Sequence, residues 1–305
     1  MKTSVRTVAS LATLLPAAQN SGYAVGAFSP RYPAMIPAIL TAAERLQSPA
    51  IVQVAQVELQ WFDMTLERFA EQFWSDLETL RPKSPVALHL DHTADFALIK
   101  RAIALGFTSV MIDASTLPFT ENAAITREVT EYAHARGVAV EAELGRIGSA
   151  DTREAETTDE EMYTDPEEAR RFVEETHIDA LAVSVGTAHG VYRTRGPKID
   201  MDRLARIRAQ VAIPLVIHGG SGVPAEMLLA AIALPGGGIS KVNIATELEL
   251  AAAAALKLET RLSDAAMSAL PPQRLEQARA AVQEVVKGKI SGFLNSAGRA
   301  GMPLA

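Results

Sequence analysis

The chain contains no cysteine, which removes disulfides, thiolate metal ligands and thiol nucleophiles together. Any metal must then rest on His, Asp or Glu. Positive charge is scarce as well: 29 Lys and Arg stand against 36 Asp and Glu, for a formal net charge of -7. A phosphate backbone or an anionic lipid surface demands clustered cations, so neither nucleic acid nor a membrane surface is an expected partner. Any phosphate it binds should be small and locally held. Long apolar runs are missing too, and with no stretch of about 18 uninterrupted apolar residues nothing reads as membrane-spanning. No Pro- or Ser-rich linker and no shift of composition divides the sequence, so residues 1–305 are read as one domain, cytoplasmic by default. The N-terminal MKTSVRTVASLATLLPAAQ has the early charges, apolar stretch and small residues of a signal peptide. It also reads as an amphipathic helix, and cleavage would fall against the first strand, so the helix is the expected form.

What is present is an alternation. Short β-type runs at residues 23–28, 50–54, 86–90, 109–112, 139–144, 180–184, 215–217 and 239–243 are separated by stretches with apolar residues at helical spacing, such as 66–80, 96–105, 122–135 and 166–176. Eight strands alternating with helices predict a parallel α/β sheet, and the count of eight favours a closed (β/α)8 TIM barrel over an open doubly wound sheet. Two helical additions flank it: the N-terminal helix and the amphipathic stretch at 272–293. The Ala-rich run at 250–258 predicts a tightly packed helix, and the long acidic stretch at 148–162 a mobile cover over the active site.

In a parallel barrel, strand interiors are expected to be apolar and chemistry to collect at the C-terminal strand ends. That rule gathers Ser29, Asp91, His92, Asp113, Glu143, His189, His218 and Asn243 at one rim. His92, His189 and His218 then approach one another across the mouth, and three imidazoles without thiolates suit Zn²⁺ with a position left open for substrate. His134 and His177 fit ordinary surface or packing positions and receive no role. The HGGSG segment, with Gly219, Gly220 and Ser221, and the following NIATE, with Asn243, Ala245 and Thr246, suit a phosphate cradle. Glycine lets the backbone approach an anion, and loops after strands seven and eight are where this fold usually holds one.

These residues resemble the class II, metal-dependent ketose-bisphosphate aldolases, most closely the tagatose/fructose-bisphosphate branch. The matching stretches are GYAVGAF, LHLDH, GFTSVMIDAS, VEAELGRIG, YTDPEEA, DALAVSVGTAHGVY, PLVIHGGSG and KVNIATEL, in family order along nearly the whole chain. The resemblance implies a zinc-dependent carbon–carbon lyase. His92, His189 and His218 would hold Zn²⁺, which polarises the C2 carbonyl and C3 hydroxyl of the ketose. Cleavage of the C3–C4 bond would leave an enediolate of dihydroxyacetone phosphate. Asp91 would exchange the C4 hydroxyl proton as general base. The glycine-rich loop with Asn243, Ala245 and Thr246 would hold the C1 phosphate, joined by Gly190, Arg193 and Ser29 in substrate binding. Backbone carbonyls near Gly190 and Gly219 would bind a monovalent cation, Na⁺ or K⁺. Asp113 and Glu143 would support the metal or offer it an alternate position. The family forms homodimers and homotetramers and binds no macromolecular substrate, only a small sugar phosphate.

Departures from the family are informative. Where its mobile loop usually carries a glutamate that protonates the enediolate, this chain has Asp151, one methylene shorter. Ser29 replaces a common asparagine, and Val54, Ala55, Gln56 and Val57 replace a Ser or Thr with glycine. In the family those positions normally face the aldehyde half of the substrate. The expected substrate is fructose- or tagatose-1,6-bisphosphate-like, with a different aldehyde half, as in 2-deoxy-5-keto-gluconate 6-phosphate, as the alternative. A hydrolase or lyase using a zinc hydroxide, and a non-catalytic companion subunit, are the competing classes. In VALHLDHTA the period of two puts His89 and Asp91 on one face, with His92 opposite. For Asp91 and His92 both to reach the rim, the alternation must break there, leaving His89 a layer deeper as a support or alternate ligand.

Overall fold

The computed structural model describes residues 7–147, 162–188, 190 and 197–301. Eight parallel strands close into a barrel in sequence order: β1 (Val25–Phe28), β2 (Ala50–Ala55), β3 (Val86–Thr93), β4 (Ser109–Ile112), β5 (Ala139–Leu144), β6 (Ala180–Val183), β7 (Leu215–Ile217) and β8 (Ile239–Ile244). The last strand pairs back on the first, with Gly26 opposite Val242. The helices among the described residues are α1 (Leu11–Ser21), α2 (Ile36–Arg45), α3 (Gln56–Trp61), α4 (Leu66–Leu80), α5 (Phe96–Ala104), α6 (Phe119–His134), α7 (Pro166–Thr176), α8 (Met201–Gln210), α9 (Ala225–Ile232), α10 (Thr246–Leu256), α11 (Asp264–Ser268) and α12 (Pro272–Gly292). This is the expected TIM barrel with a helix at each end of the chain. None of these helices is long and apolar enough to cross a membrane.

Local chemistry sets the boundaries. The Thr65 hydroxyl accepts from the Arg68 amide to start α4, and Asp165, followed by Pro166, accepts from the amides of Glu167 and Glu168 to start α7. β1 starts two residues later than its apolar run, because the Tyr23 amide bonds back to Ala18 and the Ala24 amide to Leu294. The C-terminal α12 buries Ala278, Val282, Val286 and Ile290, one helical stripe, and packs on α10 and α2.

The outward strand faces form one apolar cluster with the helices. Inward, the barrel has two levels. At the N-terminal end Val25, Ala27, Ile51, Ala87, Met111, Ala139, Ala180, Ala182 and Val216 pack against Leu11, Leu14, Leu15 and Ala18 of α1. The N-terminal segment is thus the floor of the barrel, and Ala9 bonds directly to β3. Each buried leucine there contributes about 1.5–3 kcal/mol by leaving water. One pleat higher the same strands turn polar: Ile51 gives way to Gln53, Ala87 to His89 and Asp91, Ala139 to Glu141 and Glu143, Val216 to His218. The expectation of apolar strand interiors therefore holds for the lower half only. Of the predicted cover at 148–162, residues 148–161, with Asp151, lie outside the described residues, as do His189 and Arg193.

Candidate metal centre and active site

A bulge in β3 assembles the site. His89 pairs with Ser109 and Leu90 with Val110, but the next pair is Thr93 with Ile112, so one extra residue is inserted on β3. His92 takes a left-handed φ of 31° at this step. The expected break in alternation is here, and it turns His92 toward the mouth beside Asp91. Thr93 still belongs to the strand, its hydroxyl bonding the Asp91 carbonyl at 3.0 Å, so the loop opens only at Ala94.

His92 donates through Nδ1 to Asp113 at 2.7 Å, and the Ser115 hydroxyl donates to the same carboxylate at 2.7 Å. His218 is fully buried, with Nδ1 3.1 Å from Glu143 and Nε2 2.8 Å from Glu141. The two imidazole rings stand 4.4 Å apart and steeply inclined. Asp91, His92 and His218 each offer a ligand atom within 4.8 Å of the others, as do His92, Asp113 and Glu143. Burial opposes a charge on His92, yet the carboxylates of Asp91, Asp113 and Glu143 push it up to about 10 in the metal-free protein. His218 is raised too: burial and His92 oppose it, and Glu141 and Glu143 prevail. A positive charge on either ring opposes one on the other. One divalent cation on two neutral imidazoles satisfies the same carboxylates without that repulsion, so the donor set fits a metal. Each histidine is oriented from behind by a carboxylate, the usual arrangement for a metal-binding imidazole.

Asp91 is 4% exposed and surrounded by donors. The Gln53 amide donates to Oδ2 at 3.0 Å and the Asn243 amide reaches both oxygens at 3.1 Å. Burial alone would raise this carboxyl, but His92, Lys241 and His218 hold it below its ordinary range. His89 lies beneath, bonded to the Ser109 hydroxyl at 2.9 Å, its Nε2 3.7 Å from both Asp91 and Glu141. Burial, reinforced by Lys241, pulls its pKa down to about 4, so it is a neutral support. Sequence reasoning missed Glu141, Lys241 and Gln53. Asn243, read toward the phosphate, points its amide nitrogen to Asp91, and its backbone carbonyl accepts from Gly220 of the glycine-rich loop at 3.1 Å.

The HGGSG segment closes tightly over its neighbours. A Cβ on Gly219 would run into the Ala188 carbonyl, and one on Gly220 into Val242, so glycine is required for the β6, β7 and β8 loops to meet. The Ser221 hydroxyl is buried with no hydrogen-bond partner among the described residues. Ala245 and Thr246 stand at the start of α10, whose Glu247 accepts from the Gly222 amide at 2.8 Å. Gly190, with φ of 100°, is on the β6 loop. Ser29 is 1% exposed and accepts from the Gln53 amide at 3.3 Å, which ties it to Asp91. On the opposite side of the mouth, Gln56, Val57 and Gln60 of α3 with Ala94 line a cavity of about 240 Å³ that includes His92 and Asp113. A larger hollow, about 850 Å³, opens at the floor beside Phe107, Tyr132 and Arg136. It lies at the opposite end of the barrel from the converging histidines and carboxylates.

Comparison with known proteins agrees with this geometry. The family pattern described as fructose-bisphosphate aldolase class-II matches residues 9–299. The chain is 39% identical to the fructose-bisphosphate aldolase of Staphylococcus aureus over 286 residues, 93% of this chain and 96% of that one. It is 40% identical to that of Staphylococcus epidermidis with the same coverage. The solved YdjI aldolase from Escherichia coli K12 superposes with a TM-score of 0.81 at 33% identity, covering 96% of this chain and 99% of that chain. A putative fructose-1,6-biphosphate aldolase from Coccidioides immitis gives 0.79 at 32% identity, covering 94% and 96%.

Proposed function

The chain belongs to the class II fructose-bisphosphate aldolase family, whose members are carbon–carbon lyases, and we propose that it cleaves a ketose phosphate to dihydroxyacetone phosphate and an aldehyde. A fructose- or tagatose-1,6-bisphosphate-like substrate is the first reading. The observation that carries it is the β3 bulge, which sets a donor-saturated carboxylate, Asp91, beside a carboxylate-backed imidazole, His92, facing His218. His92, His189 and His218 would hold Zn²⁺, which supplies the Lewis acidity that stabilises negative charge developing on the substrate oxygens. Asp91 takes the C4 hydroxyl proton as the aldehyde forms, and its amide partners keep it a carboxylate aimed at that proton. Gly219, Gly220, Ser221 and the start of α10 hold the C1 phosphate, and carbonyls near Gly190 and Gly219 a Na⁺ or K⁺ ion. Arg193 and Asp151 complete the substrate contacts, Asp151 as the acid that protonates the enediolate.

The same reading treats residues 1–305 as one cytoplasmic aldolase domain, assembled as a homodimer or homotetramer. Chelation is expected to abolish cleavage and zinc to restore it. Full activity in excess chelator overturns the reading, and absence of zinc after metal-replete expression favours a non-catalytic companion.

One observation favours a different aldehyde half. Besides His92 and Asp113, the cavity at the end of β2 is lined by two amides and by the alkyl groups of Val57 and Ala94, and among its described lining residues there is no lysine or arginine to meet a second phosphate. Relative cleavage of fructose 1,6-bisphosphate, tagatose 1,6-bisphosphate and 2-deoxy-5-keto-gluconate 6-phosphate tests it. Selective turnover of either 1,6-bisphosphate removes the second reading and keeps the first.

A further inference from the structure

Half-way up the barrel, Glu141 of β5 and Lys241 of β8 meet with no exposure to solvent. The Lys241 ammonium lies 2.8 and 3.0 Å from the two Glu141 oxygens and 3.8 Å from Asp91 Oδ1. Stability does not explain such a pair. Taking two charges out of water costs several kcal/mol per ion, and an apolar pair of similar volume is often neutral or stabilising in its place. One pleat below, β5 fills the same interior with Ala139 and its apolar neighbours.

What distinguishes the pair is what each end touches. Glu141 Oε1 is 2.8 Å from Nε2 of His218, while Nδ1 of that ring faces Glu143, one layer nearer the mouth. A carboxylate pinned by an ammonium commits Nε2–H to the barrel interior and leaves Nδ1 as the nitrogen a metal entering from the mouth would meet. At the other end, Lys241 adds its charge to the Gln53 and Asn243 amides around Asp91. Asp91 stands close enough to His92 and His218 to become a ligand itself. Donors on its oxygens hold it back for proton transfer.

We infer that Lys241 is a positioning residue: through Glu141 it makes His218 present Nδ1 to the metal, and through Asp91 it keeps that carboxylate out of the metal's coordination. This rests on the metal-aldolase reading above. Lys241 and Glu141 are both closed off from solvent beneath the mouth.

The test compares wild type, Lys241→Met, and the double substitution Lys241→Met with Glu141→Gln, all as full-length protein. The single variant should lose both stability and metal, because it leaves Glu141 charged and unpaired. The double variant removes both charges, so its metal-free melting temperature should return to near the wild-type value. Its zinc affinity, measured by competition with a chelator, should stay about 10- to 100-fold weaker. With Co²⁺ in place of zinc, its visible absorption should weaken as Asp91 joins the ligands, and kcat should fall with KM little changed. A double variant with wild-type zinc affinity, Co²⁺ spectrum and kcat overturns the inference, since the pair would then only fill space. If it does not accumulate, Lys241→Gln with Glu141→Gln keeps an amide pair across the same gap and is read the same way. A wild-type protein that binds neither Zn²⁺ nor Co²⁺ refutes the metal-aldolase reading instead.

Discussion

The lower and upper halves of this barrel are made by the same strands with the same alternation, and they do opposite things with the positions that point inward. Below, alanines and small aliphatics leave room for the leucines of α1, and the result is a dry floor. Above, the next inward residues are Gln53, His89, Asp91, Glu141, Glu143, His218, Lys241 and Asn243, all nearly or fully buried. Apolar burial stabilises wherever it occurs. Buried charge stabilises little and is retained where orientation matters. The halves should therefore separate under mutation, one in stability and the other in chemistry.

The largest separation is expected from Asp91→Asn, which keeps the shape of the side chain and removes its ability to take a proton. Cleavage should fall by about 10²–10⁴-fold while the urea midpoint moves little. A variant that turns over normally breaks the division at its upper end. From the floor, Leu14→Ala should cost about 2–5 kcal/mol in unfolding free energy and leave kcat unchanged at temperatures where the protein stays folded. Loss of kcat without loss of stability would show that the floor reaches the chemistry.

How far this was legible in the sequence follows the same boundary. The strands stood out by the apolar residues that face the helices, and β4, β5 and β7 begin and end where their runs do. The residues at strand ends were legible because the fold itself says where chemistry gathers: Asp113 bonds His92 Nδ1, and Glu143 lies 3.1 Å from His218 Nδ1 on the side of the mouth. The middle layer was not. A lysine opening KVNI and a glutamate inside AVEAEL reveal nothing of their partners, which are 100 residues apart, and Asn243 finds Asp91 across 152. No local pattern carries a contact made across the inside of a closed barrel.

Smaller effects sharpen the division. Asp113→Ala removes the carboxylate behind His92 and should weaken zinc binding by about 10- to 100-fold with a modest change in melting temperature of the metal-free protein, checked by chelator competition and calorimetry. A further effect concerns pH. In the metal-free protein the folded-state pKa of His92 is pushed up to about 10, above its ordinary value, so its contribution to stability is complete below about pH 6.5 and is lost as pH rises through about 10. The urea midpoint of the metal-free protein should decline over that window and decline less in His92→Gln. Leu14→Ala should displace the whole curve without changing its slope.

The most direct test asks whether the upper half forms an enediolate at all. Given dihydroxyacetone phosphate and no aldehyde, the zinc-loaded protein is expected to exchange the C3 proton with solvent, and the exchange should stop when the metal is stripped and resume when it is returned. A fully loaded, folded protein that exchanges nothing would contradict an aldolase site and favour a zinc-hydroxide chemistry on the same histidines.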